Sequence, residues 1–399
     1  MDEPLALMSM DLADLQTLME GWREPAFRAK QVYGWLARGA RPEEMTNLSK
    51  TLRQRLGELP YGGATIYDKR VSQRDGTIKY LFALEDGNLV EGVLMRYHYG
   101  NTLCISTQVG CRMGCAFCAS TLEGCVRDLQ PGEMLSFIAC AERDEPAQNR
   151  SRTVTNIVLM GSGEPLDNYN NVVKFLHMVT DPAGMGISPR NISLSTCGLV
   201  PKIWTFMEDA PHVTLSISLH GVDDESRSRI MPVNRRYGLS QLIPAAKGYA
   251  DKTGRRVVFE YALIAGQNAS KEDAAKLAAL LRGVNCHVNL IPLNPVKERG
   301  LAGISREKAH QFAGWLTERG ISATVRREMG TDIEGASGFR TRISFLSRPG
   351  RAMFLWLWWR TAWAAITQGV RPAPWRWRCW WSSCAKGALS PSKTGSLPR

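Results

Sequence analysis

The sequence predicts an α/β protein: a parallel sheet curled into a partial (β/α)6 barrel, with a small helical domain before it and an atypical Trp/Arg-rich tail after it. Three observations predict this. Between residues 102 and 326, apolar strand candidates alternate six times with helical stretches, the pattern of βα units feeding a parallel sheet. Before residue 60, apolar residues recur at three- and four-residue intervals. After about residue 337 neither period persists, and the composition changes abruptly.

Residues 1–60 form the helical domain, since Asp11-Leu-Ala-Asp-Leu-Gln-Thr-Leu-Met and Arg28-Ala-Lys-Gln-Val-Tyr-Gly-Trp-Leu each carry one apolar stripe. Residues 61–100 read as a β-rich connector, because short alternating runs are broken by the turn signals Asp75-Gly76 and Asp86-Gly87. The core spans 101–336, with strands expected at 103–107, 156–160, 192–196, 213–219, 257–264 and 288–292. Residues 337–399 form the tail, where eight of the twelve Trp lie between Trp356 and Trp381.

A chain of 399 residues with 44% hydrophobic content can fill two or three domains. The net charge of +12 suggests nucleic acid, but all 38 acidic and only 39 of the 50 basic residues precede residue 335. Residues 1–334 are therefore nearly neutral, and any RNA contact must come from local patches such as Arg28, Lys30, Arg38, Arg53 and Arg55. The opening Met1-Asp-Glu-Pro is no secretory signal, so a cytoplasmic location with reduced thiols is expected for the ten cysteines. Arg360 interrupts the apolar stretch 353–370, so no membrane span is expected either.

The chemistry starts at Cys111-Arg-Met-Gly-Cys115-Ala-Phe-Cys118, directly after the first core strand. Three thiolates at spacings of four and three can hold three irons of a 4Fe-4S cluster and leave the fourth open. An open iron binding amino and carboxylate groups suits reductive cleavage of S-adenosylmethionine. A closed zinc site would want a fourth ligand in a paired spacing, which Cys104 and Cys125 do not supply.

Further candidates fall at later strand ends, where sites on such sheets form. The glycines of Gly161-Ser-Gly163-Glu164-Pro165 let backbone approach a ligand closely, and Ser195 and Ser218 offer hydroxyls. His220 reads equally well as a core histidine, and Glu91 as a polar-face residue of an alternating strand. The basic run 227–237 reads as a phosphate-contacting loop or a solvated face, and Cys140, Cys197 and Cys286 as small buried hydrophobes.

Together these motifs resemble the radical S-adenosylmethionine dual-specificity RNA adenine-C2 methyltransferases, the RlmN family. The resemblance runs from about residue 10 to 336, through residues 24–31, Gln108-Val-Gly-Cys111, Gly163-Glu-Pro-Leu166, Arg229-Ile-Met-Pro-Val-Asn234, Leu290-Ile-Pro-Leu-Asn294 and Val325-Arg-Arg-Glu-Met-Gly330. It implies that Cys111, Cys115 and Cys118 hold the cluster. It further implies that Gly163, Glu164, Ser195, Ser218, Leu219, His220 and Asn294 line the S-adenosylmethionine site. Glu91 matches the family's proton acceptor, and Cys104 the thiol that frees the product by forming a disulfide. The implied substrates are 23S rRNA and tRNA, with two S-adenosylmethionine molecules per turnover. One methylates a cysteine, and the other yields the radical that activates that methyl group for addition to adenine carbon 2. An electron donor such as flavodoxin or ferredoxin, and a monomeric state, are also implied.

The methyl-carrying cysteine is expected between Ala336 and Gly338, where this chain has Ser337. A serine hydroxyl is a poor nucleophile toward a methyl sulfonium, and its ether cannot be released through a disulfide. The expectation is a chain that cleaves S-adenosylmethionine without completing methylation. Loss of one base within TGC-GGN would read Ser-Gly and shift the frame, which fits a tail without a single acidic residue beginning at the same place. The alternatives are a carbon-8 adenosine methyltransferase of the same superfamily and a catalytically silent RNA-binding relative.

Overall fold

The computed structural model describes residues 5–147, 151–210, 212–293 and 300–333. Three helices come first: α1 (Leu12–Gly21), α2 (Phe27–Leu36) and α3 (Lys50–Gly57). Asp11 and Asp14 cap α1 reciprocally, and the Ser49 hydroxyl accepts from the Leu52 amide to start α3. Their apolar stripes, including Leu15, Met19, Val32, Leu36, Leu52 and Leu56, are fully buried or nearly so.

An antiparallel meander follows, of β1 (Ala64–Val71), β2 (Ile78–Leu84), β3 (Leu89–Tyr97) and β4 (Gly100–Ile105). Both Asp-Gly signals make turns, with Gly76 and Gly87 at positive φ. The small pair β5 (Gln108–Gly110) and β6 (Cys125–Asp128) then brackets the cysteine loop.

The remaining elements alternate: α4 (Pro131–Asp144), β7 (Val154–Leu159), α5 (Tyr169–Thr180), β8 (Ile192–Thr196), α6 (Val200–Asp209), β9 (Thr214–Ser218), α7 (Asp224–Ile230), α8 (Leu239–Thr253), β10 (Val257–Leu263), α9 (Lys271–Leu280), β11 (Cys286–Pro292), α10 (Arg306–Thr317) and β12 (Ala323–Val325). The ten-stranded sheet runs β1-β2-β3-β4-β7-β8-β9-β10-β11-β12, and every pairing from β4 onward is parallel. The six expected core strands are β4 and β7 to β11. A seventh parallel strand, β12, has no counterpart in the sequence reading: at three residues it is too short for any period to register.

One apolar cluster joins the strands to their helices, with Phe82, Phe137, Phe175, Phe206, Phe259 and Phe312 among its largest fully buried side chains. Among the described residues, no helix is long and apolar enough to cross a membrane.

Candidate active site

The strand ends open into one cleft, lined from β3, β4, the cysteine loop and the ends of β7 to β11. Cys111, Cys115 and Cys118 form one wall. Their loop is pinned from outside: the Cys111 amide donates to Gly124 O (2.8 Å) and the Ala116 amide to Ile230 O (2.8 Å). From within, the Thr121 hydroxyl donates to the carbonyls of Cys115 and Cys118. Burial pushes the Cys111 thiol up to about 12 and that of Cys115 higher still. Such thiols become thiolates when a cation takes the proton's place.

Gly161, Gly163 and Glu164 line the same cleft. A side chain on Gly163 would put its Cβ 2.7 Å from the Gln108 nitrogen, and φ there is +106°, so only glycine fits this close approach. Glu164 is buried, and its oxygens accept from the amides of Leu166 (3.1 Å) and Cys197 (2.7 Å). Its first duty is thus to tie this turn to the end of β8. Desolvation raises its pKa despite those bonds.

Ser195 and Ser218 face the cleft from the ends of β8 and β9. Leu219 and His220, expected at the same site, are fully buried. Their strand end must bury its polar backbone, so the Leu219 amide donates to Glu260 O and the Leu219 carbonyl accepts from Arg227. His220 Nδ1 accepts from the Ala262 amide (2.9 Å), and the ring meets Phe117 of the cysteine loop edge-on at 4.7 Å. Burial, helped by the nearby Arg227, lowers its pKa to about 3, which removes it as an acid or base near neutrality.

The third wall carries Glu91 and Cys104 on the neighbouring strands β3 and β4. Glu91 pairs with Lys79 at 2.9 Å, both side chains being nearly buried. Burial pushes the Cys104 thiol up to about 11 against the pull of Arg326. Asn294 and Ser337 lie outside the described residues.

Residues 105–278 match the Radical SAM superfamily, and residues 5–61 match the ribosomal RNA large subunit methyltransferase N-terminal domain. The chain is 49% identical over 338 residues to a probable dual-specificity RNA methyltransferase RlmN from Alkaliphilus oremlandii, covering 84% of this chain and 97% of that one. The chain belongs to the RlmN family of radical SAM RNA methyltransferases.

A second RlmN-named relative, from Clostridium perfringens strain 13, is 48% identical over 347 residues, covering 86% of this chain and 98% of its own. The crystal structure of a radical SAM methyltransferase from Sphaerobacter thermophilus superposes with a TM-score of 0.79 at 43% identity, covering 84% of this chain and 99% of that one. Radical SAM enzymes use a 4Fe-4S cluster and S-adenosylmethionine. The donors present fit that pair. Three thiols around one open cleft suit a cluster with one thiolate per iron, whereas among the described residues no three His, Cys, Asp or Glu converge on a single ion. The glycine cradle beside them gives a nucleoside's polar groups access to backbone.

Three residues that tie the walls of this cleft together carry no sequence signal for the contacts they make. Gln108 is buried; its Nε2 donates to Asp128 and Asp167, and its Oε1 accepts from the Glu164 amide, joining the cysteine strand to the glycine turn. Arg227, read within a phosphate-contacting run, has no solvent exposure. Its guanidinium donates to the carbonyls of Cys197, Ser218 and Leu219 and to Asn234 Oδ1. Lys79, the partner of Glu91, shows nothing beyond its place in an alternating strand.

Proposed function

We propose that this enzyme's reaction is methylation of carbon 2 of adenosine in 23S rRNA and tRNA, with two S-adenosylmethionine molecules consumed per complete turnover. We propose further that the chain with Ser337 stops short of it. The observation that carries the reading is the shared cleft: Glu91 and Cys104 on one wall, the three-cysteine loop and the glycine turn on the others.

In this reading Cys111, Cys115 and Cys118 hold the cluster, which when bound supplies the electron that splits S-adenosylmethionine to a carbon radical. Gly163 admits the ligand to backbone, while Glu164 and Arg227 hold the strand ends on which Ser195 and Ser218 are displayed. Asn294 is assigned to the same ligand by its match to the family motif. Leu219 and His220 act from behind, through backbone hydrogen bonds and the Phe117 contact. Glu91, held by Lys79, takes the proton from carbon 2 of the RNA adduct. Cys104, as thiolate, attacks the sulfur that carries the bridging carbon: the S–S bond forms as the S–C bond breaks, and its electron pair leaves with the carbon, which takes up a proton to complete the methyl group. Position 337 should provide that sulfur, and serine cannot.

A cytoplasmic monomer served by a flavodoxin- or ferredoxin-type donor completes the reading. A one-base deletion at codon 337 accounts for both the serine and the acid-free tail, and resequencing the gene decides it. An unshifted Ser codon in an intact frame would sink that account.

The functional test is anaerobic reconstitution with iron, sulfide, S-adenosylmethionine and reductant, followed by mass spectrometry of RNA nucleosides, with Ser337→Cys in parallel. The expected result is 5′-deoxyadenosine from both proteins and 2-methyladenosine only from the cysteine variant. Product from the serine protein would overturn the assignment of position 337, and 8-methyladenosine would overturn carbon-2 selectivity.

A further inference from the structure

The two ends of the ten-stranded sheet are tied together by side chains. The turn between β1 and β2 reaches the chain just after β12, and four hydrogen bonds cross between residues 255–260 positions apart. The Ser72 hydroxyl donates to Asp332 Oδ1 (2.7 Å), and the Gln73 amide to Asp332 Oδ2 (2.9 Å). Arg74 Nη1 donates to the Thr331 hydroxyl (3.0 Å), and the Gly330 amide to Asp75 Oδ2 (2.8 Å). Ser72 Oγ also accepts from the amides of Arg74 and Asp75, so the turn is braced before it grips its partner. Gly330 sits at φ +59°, which lets the chain reverse at that point. One residue earlier, Met329 is buried against Val93, Met95 and Cys104.

We propose that this turn is a latch that fixes the start of the segment leading to position 337 against the Cys104 wall of the cleft, making Ser72, Asp75 and Asp332 positioning residues for methyl transfer. The inference rests on the roles proposed above for Cys104 and position 337. Its geometric argument is one of reach. The amide of Arg326 is held by Leu290 O, and from there position 337 is eleven residues away. From Asp332 it is five residues away, at most ~18 Å of extended chain. Met329, buried beside Cys104, is eight residues away, so the latch shortens the tether from eight residues to five and raises the local concentration of its end about twofold, by the −3/2 power of length.

The latch also holds across the neutral pH range. Burial works against ionisation of Asp75, but hydrogen bonds from Gly330 and Thr77 outweigh it and bring its carboxyl down to about 2. Asp332 is lowered as well, first by the Ser72 hydroxyl.

The experiment is disulfide trapping in the full chain carrying Ser337→Cys. Under oxidised glutathione, which takes up the two electrons and two protons lost by the thiols, a disulfide between Cys104 and the thiol introduced at position 337 is followed by peptide mass mapping. It should form in that protein, form about twofold more slowly when Asp75→Ala and Asp332→Ala are added together, and return to the original rate with Asp75→Asn and Asp332→Asn, which keep acceptors for Gly330, Ser72 and Gln73. Asp332→Ala alone, at an exposed position, moves the anchor back to Gly330 and should slow it about 1.7-fold, and covers the case in which the double variant fails to fold. Equal rates in the folded alanine variants would overturn the latch, as would the absence of any link between Cys104 and the introduced thiol in the parent. Cleavage of S-adenosylmethionine to 5′-deoxyadenosine needs neither residue 337 nor the latch, so its loss would count against the reading of the site and not against the latch.

Discussion

His220 stands beside the candidate site with its ring held neutral by burial. Its backbone is left-handed, φ +54°, a conformation His and Asn accept more readily than most residues. Its ring is sealed among backbone groups and Phe117. Because the folded pKa is about 3 and the unfolded value near 6.5, the native protein refuses a proton that the unfolded chain accepts. The stability from this neutral ring is fully present above pH ~6.5 and is lost as pH falls toward 3. Between pH 7 and pH 5 the residue should cost about 2 kcal/mol, an order-of-magnitude figure from the two pKa values. Urea unfolding at both pH values, compared with His220→Asn, checks this: the variant should show a pH dependence smaller by about that amount. Equal dependence in the two proteins would mean the ring is protonated in the fold. In enzyme assays, no inflection between pH 5 and 8 should trace to His220.

At the scale of elements, the site is a set of strand ends that need fastening, and the fasteners are buried polar side chains. Arg227 on α7 binds the carbonyls that follow β8 and end β9, with Asn234 as its fourth acceptor. A lysine cannot reproduce a planar fork with five donors. Arg227→Lys leaves several buried acceptors unsatisfied, and should lower unfolding free energy by about 3–5 kcal/mol and weaken S-adenosylmethionine binding at least tenfold. Denaturant titration and equilibrium dialysis check the two parts. An unchanged dissociation constant in a destabilised protein would confine Arg227 to folding. This arrangement also marks what the sequence could reveal. The cysteine loop and the glycine turn were legible because their chemistry lies in local spacing, and β4 and β7 to β11 because each is an apolar run between turns. Arg227, Gln108 and Lys79 were not, because their roles arise from partners brought close only by folding. Arg227 was misread because its neighbours in sequence, Arg229, Arg235 and Arg236, are basic. The same reason hides the latch, whose two halves share no pattern across 255 residues.

For the whole molecule the question is how RNA is attracted. Residues 1–334 carry 39 basic and 38 acidic side chains, so long-range attraction to phosphate from that part is weak. Within its helical region several arginines lie against aromatic rings, Arg38 on Trp35 at 4.4 Å and Arg55 on Trp22 at 4.2 Å. Surfaces that pair cations with rings favour bases and phosphates at chosen places over a diffuse field. The eleven Lys and Arg after residue 334 stand without an acidic residue among them, and so add attraction that ignores sequence. Each phosphate neutralised on a single strand contributes about −0.7 to the slope of log affinity against log salt. If half to all of the eleven charges engage, a chain ending at Glu334 should therefore have a slope shallower by about 4–8 units than the full chain. Fluorescence anisotropy with a short unstructured RNA, from about 50 to 300 mM salt, measures both slopes. Matching slopes would show that the charges after residue 334 do not reach RNA, and would return the attraction to the patches on the folded part.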